Sequence, residues 1–106
     1  MVLLGKNRDR LSIVSAILEA VNSGASKTRI MFGANLSFKL LEKYLSIVVD
    51  VGFVRVEGPR YELTERGREF LNQYRCFAER YVGVQQLLES LVCEREKLAL
   101  MCERSR

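Results

Sequence analysis

Hydrophobic positions recur along this chain with three different periods, and each period names an element. Leu11, Val14, Ile17, Leu18 and Val21 fall on one face of a 3.6-residue helix. Asp9 or Asn7 is placed to cap it, and Asn22-Ser23-Gly24 to end it, with glycine taking the left-handed turn. Ser26 caps a short second helix over 27–32, stopped by Gly33. Asn35 or Ser37 caps a third, whose buried face reads Leu41, Tyr44, Leu45 and Val48 and which ends before Gly52. Leu36 is expected to cover the turn between these two helices.

After Gly52 the period becomes two. Residues 53–57 and 60–63 read as strands joined at Gly58-Pro59. Val54 and Val56 alternate with Arg55 and Glu57, and Tyr61 and Leu63 alternate with Glu62, giving a ribbon with one wet face. A lone hairpin is marginal in water, so this one must pack on the helices. Thr64 then caps a final helix. The fold class is mainly α with a small β-hairpin: a winged helix-turn-helix domain over 1–64, then a long C-terminal coiled-coil helix over 65–106.

The third period belongs to that last helix. Phe70, Tyr74, Phe77, Tyr81, Val84, Leu88, Leu91, Arg95, Leu98 and Cys102 follow alternating steps of four and three, and only Arg95 is not apolar. This is a heptad seam. A helix of about 40 residues is roughly 60 Å long, far more than a small domain can cover. A second copy of the chain is the simplest cover, so a homodimer is expected. With Tyr74, Tyr81, Leu88, Arg95 and Cys102 as a, and Phe70, Phe77, Val84, Leu91 and Leu98 as d, a parallel pair sets Arg95 against its own copy. An antiparallel pair centred near residue 86 sets Arg95 against Phe77, Tyr74 against Leu98 and Phe70 against Cys102. Each of these layers then joins a ring to a smaller partner or to a cation, where a cation–π contact is worth about 0.5–2 kcal/mol. The antiparallel arrangement is favoured. Gly83 lies off the seam and the heptads pass through it unshifted, so one continuous helix is expected.

Composition removes several chemistries. There is no histidine, and the three cysteines (Cys76, Cys93, Cys102) form no CxxC pair, so neither a zinc site nor a histidine-assisted nucleophile is expected. No cofactor, metal or small-molecule ligand is implied, and the chain is not expected to be an enzyme. Residues 1–4 are too short for a signal-peptide core and no apolar run approaches a membrane span. A cytoplasmic, nucleoid-associated location is expected. The net charge is +4. Residues 1–43 alone carry that excess, with Lys6, Arg8, Arg10, Lys27, Arg29, Lys39 and Lys43 against Asp9, Glu19 and Glu42. A modest phosphate-binding surface on the N-terminal domain accounts for it. A merely solubilising charge accounts for it too.

In a winged helix-turn-helix, the helix after the turn enters the major groove of double-stranded DNA and the hairpin runs along the backbone. The exposed face of the third helix here is Ser37, Phe38, Lys39, Glu42, Lys43 and Ser46. Ser37, Phe38 and Lys39 lie in its first turn, where free N–H groups and the helix dipole favour phosphate. Lys39 and Lys43 are one turn apart and suit phosphate or a guanine edge, while Phe38 suits a thymine methyl or a sugar. Lys27, Thr28 and Arg29 open the second helix and would face phosphate. Arg55 and Arg60 flank the wing tip. Some candidates have a plainer reading: Phe38 as a core residue, Lys39 and Lys43 as solvated charges, and the wing arginines paired with Glu57 and Glu62.

The stretch Lys27-Thr28-Arg29-Ile30-Met31-Phe32-Gly33-Ala34-Asn35-Leu36-Ser37-Phe38 resembles the small archaeal winged-helix chromatin proteins of the Sulfolobus 10a type. Tyr44, the Val56-Glu57-Gly58 wing, the Leu63-Thr64-Glu65-Arg66-Gly67 start of the last helix and the coiled-coil tail match as well. The resemblance covers nearly the whole chain. It implies dimers, DNA binding with little sequence preference and an antiparallel coiled coil. The chain departs from that pattern in being less basic near its start and in its cysteines, which leaves chromatin packaging and gene-specific regulation both open. A winged helix used only for protein–protein interaction is the alternative class.

Overall fold

The computed structural model describes residues 8–104. Residues 1–4, Lys6 and the candidate cap Asn7 therefore lie outside the described residues. The elements run α1 (Arg10–Val21), β1 (Ala25–Ser26), α2 (Lys27–Gly33), α3 (Phe38–Asp50), β2 (Val54–Glu57), β3 (Arg60–Leu63) and α4 (Glu65–Met101). Four side-chain caps set four helix starts. Asp9, Ser26, Ser37 and Thr64 accept the N–H groups of Ser12, Arg29, Leu40 and Gly67.

The helix-turn-helix corner differs in one detail from the expectation. Gly33 does not stop α2 but is its last residue, lying where α2 presses on α1; a Cβ there would stand 3.1 Å from that of Ala20. The stop is Asn35, held left-handed at φ 56°. Its N–H bonds to the Phe32 carbonyl at 3.2 Å and that of Leu36 to Met31 at 3.0 Å, a complete Schellman closure with asparagine in the usual glycine place. That leaves Ser37 as the cap of α3. Gly52 closes α3 in the same way, at φ 85° with the Gly52 and Phe53 amides returning to Val49 and Val48.

The hairpin is joined by a third strand, giving an antiparallel sheet in the order β1-β3-β2 with Ala25 opposite Tyr61 and Ser26 opposite Arg60. Two residues cannot display a period, so β1 leaves no hydrophobic signature. β2 begins at Val54, one residue later than expected, because Phe53 completes the closure of α3. Only the base of the wing is dry. Val54 opposite Leu63 is buried, but Val56 opposite Tyr61 is 56% exposed, beyond the reach of the helices.

The core gathers Ile13, Val14, Ile17, Leu18 and Val21 of α1, Ile30 of α2, the expected face of α3, Val54, Leu63 and Leu71. Each such side chain contributes about 1.5–3 kcal/mol on burial. Leu11 corrects the expectation for α1: it is 44% exposed, because the first turn of the helix overhangs the core and lies against α4, with Ile13 buried instead. Leu71, one residue off the seam, is buried and draws the start of α4 into the same core as the head.

α4 is seated by a close backbone approach. Thr64 donates its hydroxyl to the Gly52 carbonyl and its N–H to the Phe53 carbonyl. A Cβ on Gly67 would lie 2.2 Å from that same Phe53 oxygen and 2.8 Å from Leu63 Cδ1, so only glycine fits. Farther along, Arg75 donates two N–H groups to Glu19 of α1 at 2.7 and 2.9 Å. Gly83 is the opposite case, a helical glycine with nothing within 4 Å of its would-be Cβ.

The two glycines should therefore respond in opposite directions. In urea unfolding followed by circular dichroism, Gly67→Ala is expected to lose about 1–3 kcal/mol through overpacking against an unyielding backbone. Gly83→Ala is expected to gain about 1 kcal/mol from helix propensity alone. Equal effects would mean that α4 is not seated on the Phe53 carbonyl.

Candidate nucleic-acid interface

α3 packs Leu41, Tyr44, Leu45 and Val48 inward, which turns Ser37, Phe38, Lys39, Glu42, Lys43 and Ser46 out to solvent. Phe38 is 61% exposed, which removes the reading that it belongs to the core. Lys39 and Lys43 are exposed and, among the described residues, form no ion pair. The Lys43 ammonium sits 5.4 Å from the ring of Tyr44, so its stem lies along its own helix.

Lys27 is not free in the same sense. It reaches from the start of α2 to pair with Glu42 on the outer face of α3, and its ammonium lies 5.3 Å from the Phe38 ring centre. The hydrogen bond to Glu42 holds the Lys27 ammonium above its ordinary value of 10.5, with partial desolvation opposing and the Glu42 charge adding. This pair ties the two helices of the motif together and neutralises one cation on their outer face. Thr28 and Arg29, on the same turn, are exposed.

The wing arginines are both engaged within the fold. Arg55 Nε donates to Glu57 on its own strand at 2.8 Å, the pairing that the plainer reading expected. Arg60 Nη2 donates to the Gly24 carbonyl at 2.8 Å, helping to hold β1 against β3. Both side chains remain exposed, so each keeps further N–H groups facing water.

Three features escape a reading of charge and period. Arg8, counted above only as surface charge, donates to the carbonyls of Ala34 at 2.9 Å and Asn35 at 3.2 Å, locking the turn between α2 and α3. Phe32, 73% exposed on α2, and Val56 on the wing add apolar surface to the head. Neither arginine-to-carbonyl contacts nor isolated exposed rings leave a periodic trace.

The seam residues divide in two. Phe70 and Tyr74 are half-buried, with Phe70 stacked on Phe53 at 4.8 Å and packed on the core of the head. Burial raises the Tyr74 phenol above its ordinary value, with the nearby Asp9 carboxylate adding. From Phe77 onward the seam stands open: Phe77, Tyr81, Val84, Leu88, Leu91 and Leu98 are 40–67% exposed, and Arg95 and Cys102 are exposed too. Among the described residues no group of three or more His, Cys, Asp or Glu side chains gathers to hold a metal, and no helix is long and apolar enough to cross a membrane.

A winged helix-turn-helix family model matches residues 7–81. Two uncharacterized proteins of Methanocaldococcus jannaschii are similar in sequence. One is 33% identical over 63 residues, 58% of this chain and 65% of that protein. The other is 37% identical over 67 residues, 62% of this chain and 32% of that protein. The chain thus spans less than two thirds of the length of either relative. Among solved structures, the crystal structure of Sso10a-2, a DNA-binding protein from Sulfolobus solfataricus, matches with a TM-score of 0.61 and 25% identity, covering 92% of this chain and 100% of that one.

The Lys27–Glu42 pair can be checked directly. A folded value above the unfolded one means that its contribution is whole below about pH 10 and fades as the pH climbs through the folded value. In Glu42→Gln, the Lys27 side chain followed by NMR is expected to titrate back toward 10.5. An unchanged titration would show that Glu42 is not its partner.

Proposed function

Because this chain belongs to the winged helix-turn-helix family, we propose that it is a homodimeric DNA-binding protein. In this reading it is cytoplasmic, nucleoid-associated and not an enzyme, and it grips duplex DNA with α3 and the wing of each protomer, largely through phosphates. The observation that carries the reading is the outer face of α3, where exposed Lys39 and Lys43 flank a turn led by exposed Phe38. The DNA-binding character of Sso10a-2, matched along its entire length, supports it.

The roles follow from position. Lys39 and Lys43 meet phosphate or a guanine edge from within the groove, while Phe38 lies against a sugar or thymine methyl. Ser37, Thr28, Arg29 and Lys27 lie at the starts of α3 and α2, where N–H groups and side chains address the backbone on either side of the groove. Arg55 and Arg60 extend the contact along the backbone from the wing. Such contacts fix register more than sequence.

Residues 1–64 act as the reading head and 65–106 as the pairing helix, although Leu71 anchors the second to the core of the first. Antiparallel pairing about residue 86 is supported by charge as well as by the seam. Residues one before each a (the g positions, here Gln73, Arg80, Leu87, Glu94 and Met101) meet their own kind across an antiparallel pair, which sets Arg80 opposite Glu94 of the second copy and Leu87 opposite Leu87. A parallel pair would offer these charges no partner and would bring the two Arg95 side chains together. By helix rise the two Leu71 anchors then stand about 45 Å apart along the rod, one head at each end.

A second reading, a protein-docking winged helix, is favoured by the exposed Phe32 and Val56. The two readings separate in fluorescence anisotropy with labelled duplexes across a salt series. DNA binding predicts affinity falling steeply as salt rises. Lys39→Ala combined with Lys43→Ala is expected to weaken binding to all duplexes and lower the log–log salt slope by about 2. Undiminished affinity in the double variant would remove α3 as the recognition helix, and no binding at low salt would favour protein docking.

A further inference from the structure

Two hollows open on the seam side of α4, one heptad apart. The first is bounded by Phe70, Gln73, Tyr74 and Phe77, together with Leu11. The second is bounded by Phe77, Arg80, Tyr81 and Val84, with Gln73 and Cys76 at its edge. Each set of four is the same group of positions (d, g, a, d) shifted by seven residues. Four such residues make the hole into which a coiled-coil knob inserts. The spacing of the holes matches the spacing of two exposed leucines farther along the helix. Leu91 is 51% and Leu98 is 63% exposed.

Leu91 and Leu98 cannot fill these holes in their own chain. Leu98 lies about 36 Å along the same continuous helix from Tyr74. A second copy running antiparallel about residue 86 places Leu98 over Tyr74 and Leu91 over Tyr81, and the register that does so also sets Arg80 opposite Glu94. The first hole differs from the second in one respect: it has a wall that α4 does not supply. Leu11 belongs to α1, and it stays 44% exposed on a helix whose Ile13, Val14, Ile17, Leu18 and Val21 are buried.

We propose that Leu11 is the fifth wall of the first hole and that Leu98 of the second copy seats against it, making the head of one protomer part of the dimer joint. This rests on the antiparallel dimer proposed above. Each end of the rod is then a packing of α1 and α4 of one chain with α4 of the other. The head cannot swivel on its own helix without disturbing the pair, so dimerisation reinforces the angle between head and rod that the Gly67 seat sets.

A double-mutant cycle on the dimer dissociation constant, measured by sedimentation on the full chain, tests this. Leu11→Ala and Leu98→Ala are each expected to weaken the dimer about tenfold. Together they should weaken it less than the product of the two effects, by a factor of about 5. Tyr81→Ala with Leu91→Ala reports the antiparallel register without involving Leu11. Coupling in both cycles is the expected result. Coupling only between Tyr81 and Leu91, with retained helical signal, overturns the Leu11 wall and leaves the antiparallel dimer standing. Absence of coupling in both cycles, or a monomeric parent chain, overturns both.

Discussion

The contact on which the whole molecule depends is the meeting of Gly67 with the carbonyl of Phe53. That carbonyl already accepts the Thr64 amide. The missing side chain at Gly67 lets α4 start flush against the turn that ends α3. From that seat Leu71 enters the core and Phe70 stacks on Phe53. A head of about 60 residues is near the lower limit for folding alone. It therefore borrows the first turns of α4, and in doing so fixes the direction in which the remaining helix leaves. The 74 Å length of the molecule against 26 and 19 Å across is the result.

Several basic groups of the head serve the fold as well as the proposed recognition. Arg8 ties the turn, Arg60 holds β1, Arg55 pairs with Glu57 and Lys27 pairs with Glu42. A tally of basic residues overstates what remains available to a polyanion. Lys39 and Lys43 stand apart from these engagements, which is why the proposed interface centres on α3. Lys27 and Glu42 offset each other, so that pair adds little net charge to the proposed interface.

Much of this was legible in the residues because the relevant interactions are periodic or local. The 3.6-residue faces of α1 and α3 gave the core, the two-residue alternation gave the hairpin, and the serine and threonine caps gave the helix starts. What escaped depends on contacts distant in sequence. The two residues of β1 are strand only because β3 lies beside them. Asn35 rather than Gly33 closes α2, since a glycine in this sequence serves close packing against Ala20. Leu11 fits the period of α1 yet overhangs its core, a matter of where α4 crosses. Of the candidate interface, the exposure of Phe38 followed the expected face of α3. The engagement of Lys27 and Arg60 across elements did not, because neither a partner on another helix nor a backbone carbonyl can be read from spacing.

Gly83 carries a mechanical consequence. In a pair centred near residue 86, the two copies of Gly83 fall within about 5 Å of the midpoint along the axis, one on each side. Glycine is the weakest helix former after proline, and among the described residues nothing lies within 4 Å of where a Cβ on this one would stand. A rod built this way has two stiff arms and a compliant centre. In the proposed dimer, bending would concentrate there and not at the joints with the heads, so the span between two DNA-bound heads would follow the curvature of a duplex while the angle of each head to its arm is kept.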